Sequence, residues 1–204
     1  MNIRRQTHYI YSGDIVAGSL LIPESKTIAN LLKKSLTSDQ WYQAIVVDNI
    51  LQKRSPVAAK RQARLIKNRL ILMPESLLDL VGHSSFEVVK QSLLAAAIKH
   101  SRLLGDFLDQ VVRDHWRIFQ KKLTNKDWDE YLNLCSQRDP HIENWSESTK
   151  KKLRQVIFRI LSEASYIDGT KSRSLLPVSI TSEVKDFLIK YNENYVLNCM
   201  DVTG

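Results

Sequence analysis

Along most of this chain the apolar positions fall at helical spacing. Pro23-Glu24-Ser25 opens a first helix to about Leu36, with Ile28, Leu31 and Leu32 turned inward. Thr37 or Ser38 caps a second, Asp39 to Leu51, with Trp41, Ile45 and Val46 on its core side. Ser55 and Pro56 start a third: serine is a good cap, and proline suits a first helical position whose N–H would be unpaired anyway. Pro74 disfavours helix before it and ends that segment near Leu72. Ala59, Ala63, Ile66 and Leu70 make one apolar stripe along it, and Ala58, Leu65 and Leu72 make a second.

Beyond Pro74 a short helix reaches Val81, and Ser84 with Glu87 has the spacing of a capping box before a long helix to about Arg102. Its run Leu93 to Ile98 is apolar on several faces, which predicts a central buried helix. Gly105 marks a break or kink, after which Leu108, Val111, Val112, His115 and Phe119 recur at helical spacing. Thr124 caps a helix through Leu134, with Trp128, Tyr131 and Leu132 inward. Leu153, Val156, Ile157, Ile160, Leu161 and Ala164 form the cleanest stripe of all. Ile167 to Ile180, with Asp168-Gly169, has little helical pattern and reads as a short hairpin or a wing-like loop. Thr181 caps a last helix to about Tyr191, and the final dozen residues carry no clear pattern. Residues 1–22 read as irregular or partly extended, with a turn at Ser12-Gly13-Asp14.

The expected fold is therefore mainly α: a compact multi-helix bundle with an N-terminal helix-turn-helix-like part and at most one short hairpin. It divides into an N-terminal helical subdomain (1–82) carrying the third helix and a C-terminal one (83–204), unless the two form one continuous domain. At 204 residues the chain is long enough for a real core. Six Gly and five Pro argue against a turn-rich β fold. Cys135 and Cys199 are too few and too unpatterned for a disulfide framework or metal knuckle, so a reducing cytoplasm is expected. MNIRRQTHYIYSGD has no apolar stretch of the signal-peptide kind, and the longest apolar run is six residues, so no membrane span is expected.

Charge changes the picture at one place. Seven of the seventeen residues from Lys53 to Arg69 are basic, and no Asp or Glu occurs between Asp48 and Glu75. Removing those seven from the 30 basic residues leaves 23 against 22 acidic ones, so nearly all of the net charge of +8 is local. Lys60, Arg61, Arg64, Lys67 and Asn68 share an arc of roughly 120° on the third helix. A merely solvated face mixes signs and uses i,i+4 pairs, which this segment lacks. The concentration calls for a polyanion, with nucleic acid first, an acidic protein partner or a membrane surface behind it, and plain solubility as the bland alternative. Lys53, Arg54, Lys60, Arg61, Arg64, Lys67 and Asn68 are the candidate contacts. Lys150, Lys151, Lys152 and Arg154, with Arg159 beyond, form a secondary basic patch with even claims to phosphate contact and to plain solvation.

Chemistry of other kinds leaves little trace. His8, His83, His100, His115 and His141 pair with no other ligand type at a metal spacing, and His115 reads as a satisfied core histidine. Asp127, Asp129 and Glu130 read as a helix start and surface charge. No phosphate-loop, dinucleotide, nucleophile-elbow or zinc-protease motif occurs. No catalytic residue, metal or cofactor is expected.

Two stretches, Tyr11-Ser12-Gly13-Asp14-Ile15-Val16-Ala17-Gly18-Ser19-Leu20-Leu21 and Lys53-Arg54-Ser55-Pro56 through Arg69-Leu70, resemble the BrxA family of bacterial bacteriophage-exclusion (BREX) defence systems. The resemblance spans nearly the whole chain. It implies a non-enzymatic accessory subunit that binds DNA beside the system's methyltransferase and other components. It also implies an all-helical fold likened to that of a bacterial RNA-binding antitermination factor. Nucleic-acid contact would then fall on Lys53, Arg54, Lys60, Arg61, Arg64 and Lys67, positions chosen by charge and helical phase. Duplex DNA is the expected ligand. The alternatives are RNA on the same surface, or an acidic protein partner within the defence complex.

Overall fold

The computed structural model describes residues 10–203, so His8 and the irregular stretch expected before Ile10 lie outside the described residues. Among them ten helices follow one another: α1 (Ile22–Leu32), α2 (Ser38–Tyr42, continued by a π turn at Gln43–Val47), α3 (Pro56–Leu70), α4 (Leu77–His83), α5 (Phe86–His100), α6 (residues 102–117), α7 (Asn125–Arg138), α8 (Glu147–Glu163), α9 (Ser182–Lys190) and α10 (Asn194–Met200). α6 is α-helical at Arg102–Phe107, widens to π geometry at Leu108–Val112 and tightens again at Arg113–Arg117.

Local chemistry sets most of the starts. Thr37 and Gln40 form a reciprocal capping box on α2, and Thr124 and Asp127 form another on α7. Ser55 accepts the Ala58 N–H at 3.2 Å, with Pro56 first in α3. α5 begins one residue later than its capping-box spacing suggested. Ser84 stays extended as the end of α4, Ser85 accepts the Val88 N–H, and Glu87 turns instead to Lys90 and Gln91.

α5 is the axis of the molecule. Val88 to Ile98 are buried without interruption, because α1, α3 and α4 pack on one side while α6, α9 and α10 pack on others. A helix buried on every face needs neighbours all round, and its buried polar side chains need partners: Lys90 donates to Ser165 and Gln91 to the Ser179 carbonyl. The core runs continuously from Tyr11 to Val202.

Four expectations give way to packing. Gly105 does not break a helix: it sits inside α6, and the break comes at Ser101, which is extended (φ −127°, ψ 98°). Glycine is there because Tyr195 crosses so closely that a Cβ would meet its hydroxyl at 2.4 Å. Phe119 is not inward. α6 ends at Arg117, Phe119 takes a positive φ of 56°, and its ring is 88% exposed. Leu72 likewise leaves the helical phase after Leu70 and faces solvent. The hairpin shrinks to an Ile167–Leu175 bridge, closed by the Asp168 carboxylate accepting from Ser172 and from the Ser174 N–H; no strand forms among the described residues. α10 is an addition, made from residues without an evident pattern and buried through Val196, Cys199 and Met200.

The segment before α1 is strapped across the bundle. The Ile10 and Tyr11 N–H groups donate to Asp139 at 2.7 and 3.0 Å, and the Tyr11 hydroxyl donates to buried Asp106. Ser19 and the Leu20 N–H donate to Glu163 at 2.7 and 2.8 Å. From the other side Arg69 donates to the carbonyls of Gly18 and Ser19.

Candidate nucleic-acid interface

α3 is fixed from beneath. Ala59, Ala63, Ile66 and Leu70 are each 2% exposed or less and pack toward α1, α5 and the π turn of α2. The opposite face carries Lys60, Arg61, Arg64 and Lys67, all exposed, with Asn68 half-buried and Arg54 exposed just before the helix. Helical phase thus delivers the arc that the sequence predicts.

Not every charge in the segment stands free. Arg69 is buried at 4% exposure, spent on the carbonyls of residues 18 and 19. Burial pushes its guanidinium down to about 10, opposed by the nearby Glu163 charge. Lys53 pairs with Glu24 of α1, both side chains being largely buried. The turn before α3 is stapled from within: Asn49 donates to the Lys53 carbonyl and accepts its N–H, each at 2.9 Å. Lys53 and Arg69 therefore place the helix, while Arg54, Lys60, Arg61, Arg64 and Lys67 point away from it. Among the described residues no carboxylate pairs with any of those five.

Aromatic rings take the place of acids. The Lys60 ammonium lies 4.9 Å from the Tyr42 ring centre, and that of Lys67 lies 4.6 Å from the Trp41 ring. A notch of about 320 Å³ between α2 and α3 is lined by Trp41, Tyr42, Ile45, Val46, Lys60, Arg64 and Lys67. On the other flank a second notch of about 340 Å³ contains Asp14, Arg61, Arg64, Asn68 and His100. Arg64 borders both. Burial, then the charge of Arg69, holds the His100 ring below its ordinary pKa, with Asp14 opposing, so it stays neutral near pH 7. Trp41 is only half-buried, and Tyr42 was absent from the sequence-level site. The one available hint is two consecutive aromatics on a helix, where only one can face the core.

The secondary patch is arranged differently. Lys150 pairs with Glu147 at 2.9 Å and Arg154 with Asp129 at 3.3 Å, while Lys151 and Lys152 are exposed. Arg154 and Arg159 line a further notch with Arg173, whose guanidinium lies 4.6 Å from the Phe158 ring. Asp127 caps α7, Asp129 holds Arg154 and Glu130 holds Lys126, so these acids do act as helix start and surface charge. His115 is buried, its Nδ1 2.9 Å from the Val111 carbonyl and its Nε2 3.4 Å from Asp127. Among the described residues no three His, Cys, Asp or Glu side chains are grouped to hold a metal ion. No helix there is long and apolar enough to cross a membrane.

A family model for BrxA matches residues 9–192. The chain belongs to the BrxA family. A BREX protein BrxA from Paramagnetospirillum magneticum (strain ATCC 700264 / AMB-1) is 49% identical over 193 residues, 95% of this chain and 97% of the relative. A BREX protein BrxA from Escherichia coli O9:H4 (strain HS) is 32% identical over 189 residues, 93% and 89% of the two chains. The crystal structure of an uncharacterized protein from Magnetospirillum magneticum superposes with a TM-score of 0.88 at 47% identity, covering 94% of this chain and 98% of that one. BrxA proteins are components of BREX phage defence, and this chain is one of them. The two stretches that carried the BrxA resemblance meet in space, because Gly18 and Ser19 of the first are gripped by Arg69 of the second.

Proposed function

We propose that this chain is the DNA-binding, non-catalytic subunit of its BREX system, gripping the phosphates of duplex DNA with the outer face of α3 and acting in the cytoplasm beside the other defence proteins. One observation carries the reading: five cations, Arg54, Lys60, Arg61, Arg64 and Lys67, are held on or beside one rigid helix, and among the described residues none of them is ion-paired to an acid. Self-repulsion makes such a face costly unless a polyanion neutralises it. Lys and Arg on phosphate carry no base information, so binding is sequence-tolerant, and Arg64 or Asn68 would reach base edges only with α3 in the major groove.

The test is duplex binding between about 50 and 300 mM salt, for the wild type and for Lys60→Ala/Arg64→Ala/Lys67→Ala. Five neutralised phosphates give a log–log slope near −4 to −5, and the triple variant reduces it by about 2 to 3. A variant that binds with the parent's slope removes α3 from the DNA site. It would favour an acidic protein partner instead.

A further inference from the structure

The notch between α2 and α3 has features that phosphate binding does not require. Tyr42 stays 51% exposed with Lys60 against its ring, and Trp41 forms a half-buried wall beside it. Ile45 and Val46 close the floor, and Val47 is 58% exposed nearby. No residue of Ser38–Tyr42 is fully buried, so this first turn is held by its capping box, by the packing of half-buried Trp41 against the core and by the lysine–ring contacts, and Tyr42 is left at the surface. From Gln43 the helix widens to π geometry, which changes the angle at which the following side chains emerge. An aromatic pair kept at the surface costs solvation of apolar area, and a helix built only to present charge has no use for it.

We propose that this notch receives one unpaired nucleobase, stacked on Tyr42 against Trp41, while Lys60, Arg64 and Lys67 hold the phosphates on either side of it. The three cations lie at i, i+4 and i+7 on α3, so they line one edge of the notch along the direction a strand would follow. Aromatic platforms interleaved with cations are the arrangement that retains bases out of the duplex stack, since every base offers a π face and the cations are indifferent to sequence. The ligand class is thereby narrowed from duplex DNA in general to DNA with an extruded or unpaired base: a bulge, a flap or a locally opened strand. This inference rests on α3 being the nucleic-acid surface proposed above.

The experiment compares three labelled oligonucleotides of equal length: a fully paired duplex, the same duplex with a one-nucleotide bulge, and the bulge made abasic. The wild type binds the bulged duplex about tenfold tighter than the paired one, and the abasic bulge loses that advantage because it keeps the backbone and lacks the ring. Tyr42→Ala abolishes the preference, and Tyr42→Phe, which keeps the ring, retains it. Tyr42 is half exposed, so both variants fold; a matching urea midpoint checks this. Equal affinity for all three probes, an abasic bulge bound as tightly as the bulged base, or a preference surviving Tyr42→Ala overturns the stacking site and leaves the phosphate reading standing. No binding of any probe at low salt overturns both.

Discussion

Arg69 and Arg64 are five residues apart on the same helix and have opposite duties. Arg64 is exposed and Arg69 is 4% exposed, its donors committed to Gly18 and Ser19. No local signal separates them, because the partner carbonyls lie some fifty positions earlier. The same holds for Lys53, neutralised by Glu24. Arg69→Met therefore lowers stability by about 2 to 4 kcal/mol, read as a shift in urea midpoint, since it leaves buried carbonyls unpaired. Lys60→Ala stays within about 0.5 kcal/mol in the same assay. His100 gives a pH dependence of known sign. Its folded pKa lies below its unfolded value, so it binds a proton more readily when unfolded. Its contribution is complete above about pH 6.5 and is lost as pH falls from there through the folded value. The Tm of the wild type should fall across that window more steeply than the Tm of His100→Gln.

At the scale of elements, what the chain displays locally could be read and what it makes jointly could not. Ser55, Thr37 and Thr124 announce three helix starts through side chains within three residues of the backbone they cap. The stripe of α8 and the apolar run of α5 predict their burial for the same reason: periodicity is a property of the segment itself. The π turns in α2 and α6, the burial of α10 and the closeness of Tyr195 to Gly105 arise only after helices meet. Gly105 shows the difference in energy. Gly→Ala inside a helix ordinarily stabilises by up to about 1 kcal/mol. Here the new methyl would meet the Tyr195 hydroxyl, which donates to Asp106 at 2.7 Å, and the Ile98 side chain at 3.1 Å. Gly105→Ala thus destabilises by about 1 to 3 kcal/mol. The loss shrinks in a Tyr195→Phe background, where the nearest atom is gone; chemical denaturation of the four-variant cycle measures it.

For the whole molecule the useful quantity is where charge is left without an opposite. Two basic clusters are visible in the sequence, the α3 segment ranked first there, and their surroundings give the ranking a physical basis. On α8, Lys150 and Arg154 answer to Glu147 and Asp129, so that face is partly balanced and its remaining exposed bases are Lys151, Lys152 and Arg159. Among the described residues no acid forms an ion pair with the exposed cations of α3. Reversing the exposed pair Lys151→Glu/Lys152→Glu should change the salt slope of duplex binding by less than about 1, against the 2 to 3 expected for α3. A larger change would make the α8 face a second contact and lengthen the DNA footprint. The proposed site was thus legible as a charge anomaly on a phased helix. Its aromatic flank was not, because Trp41 and Tyr42 belong to a different helix and meet Lys67 and Lys60 only once α2 and α3 have packed.

The strap of residues 10–20 has a bearing on how the molecule comes into being. Its hydrogen-bond partners are Arg69, Asp106, Asp139 and Glu163, spread over the next century and a half of the chain. A ribosome delivers the strap first and its last anchor far later, so closing those long loops waits on most of synthesis. Tyr11, Ile15 and Leu20 of the strap belong to the core itself, so the packing around α5 is complete only once the strap has closed on it. Residues 10–20 are made long before Glu163, and until it has emerged the Ser19 hydroxyl and the Leu20 N–H lack the acceptor that fixes them.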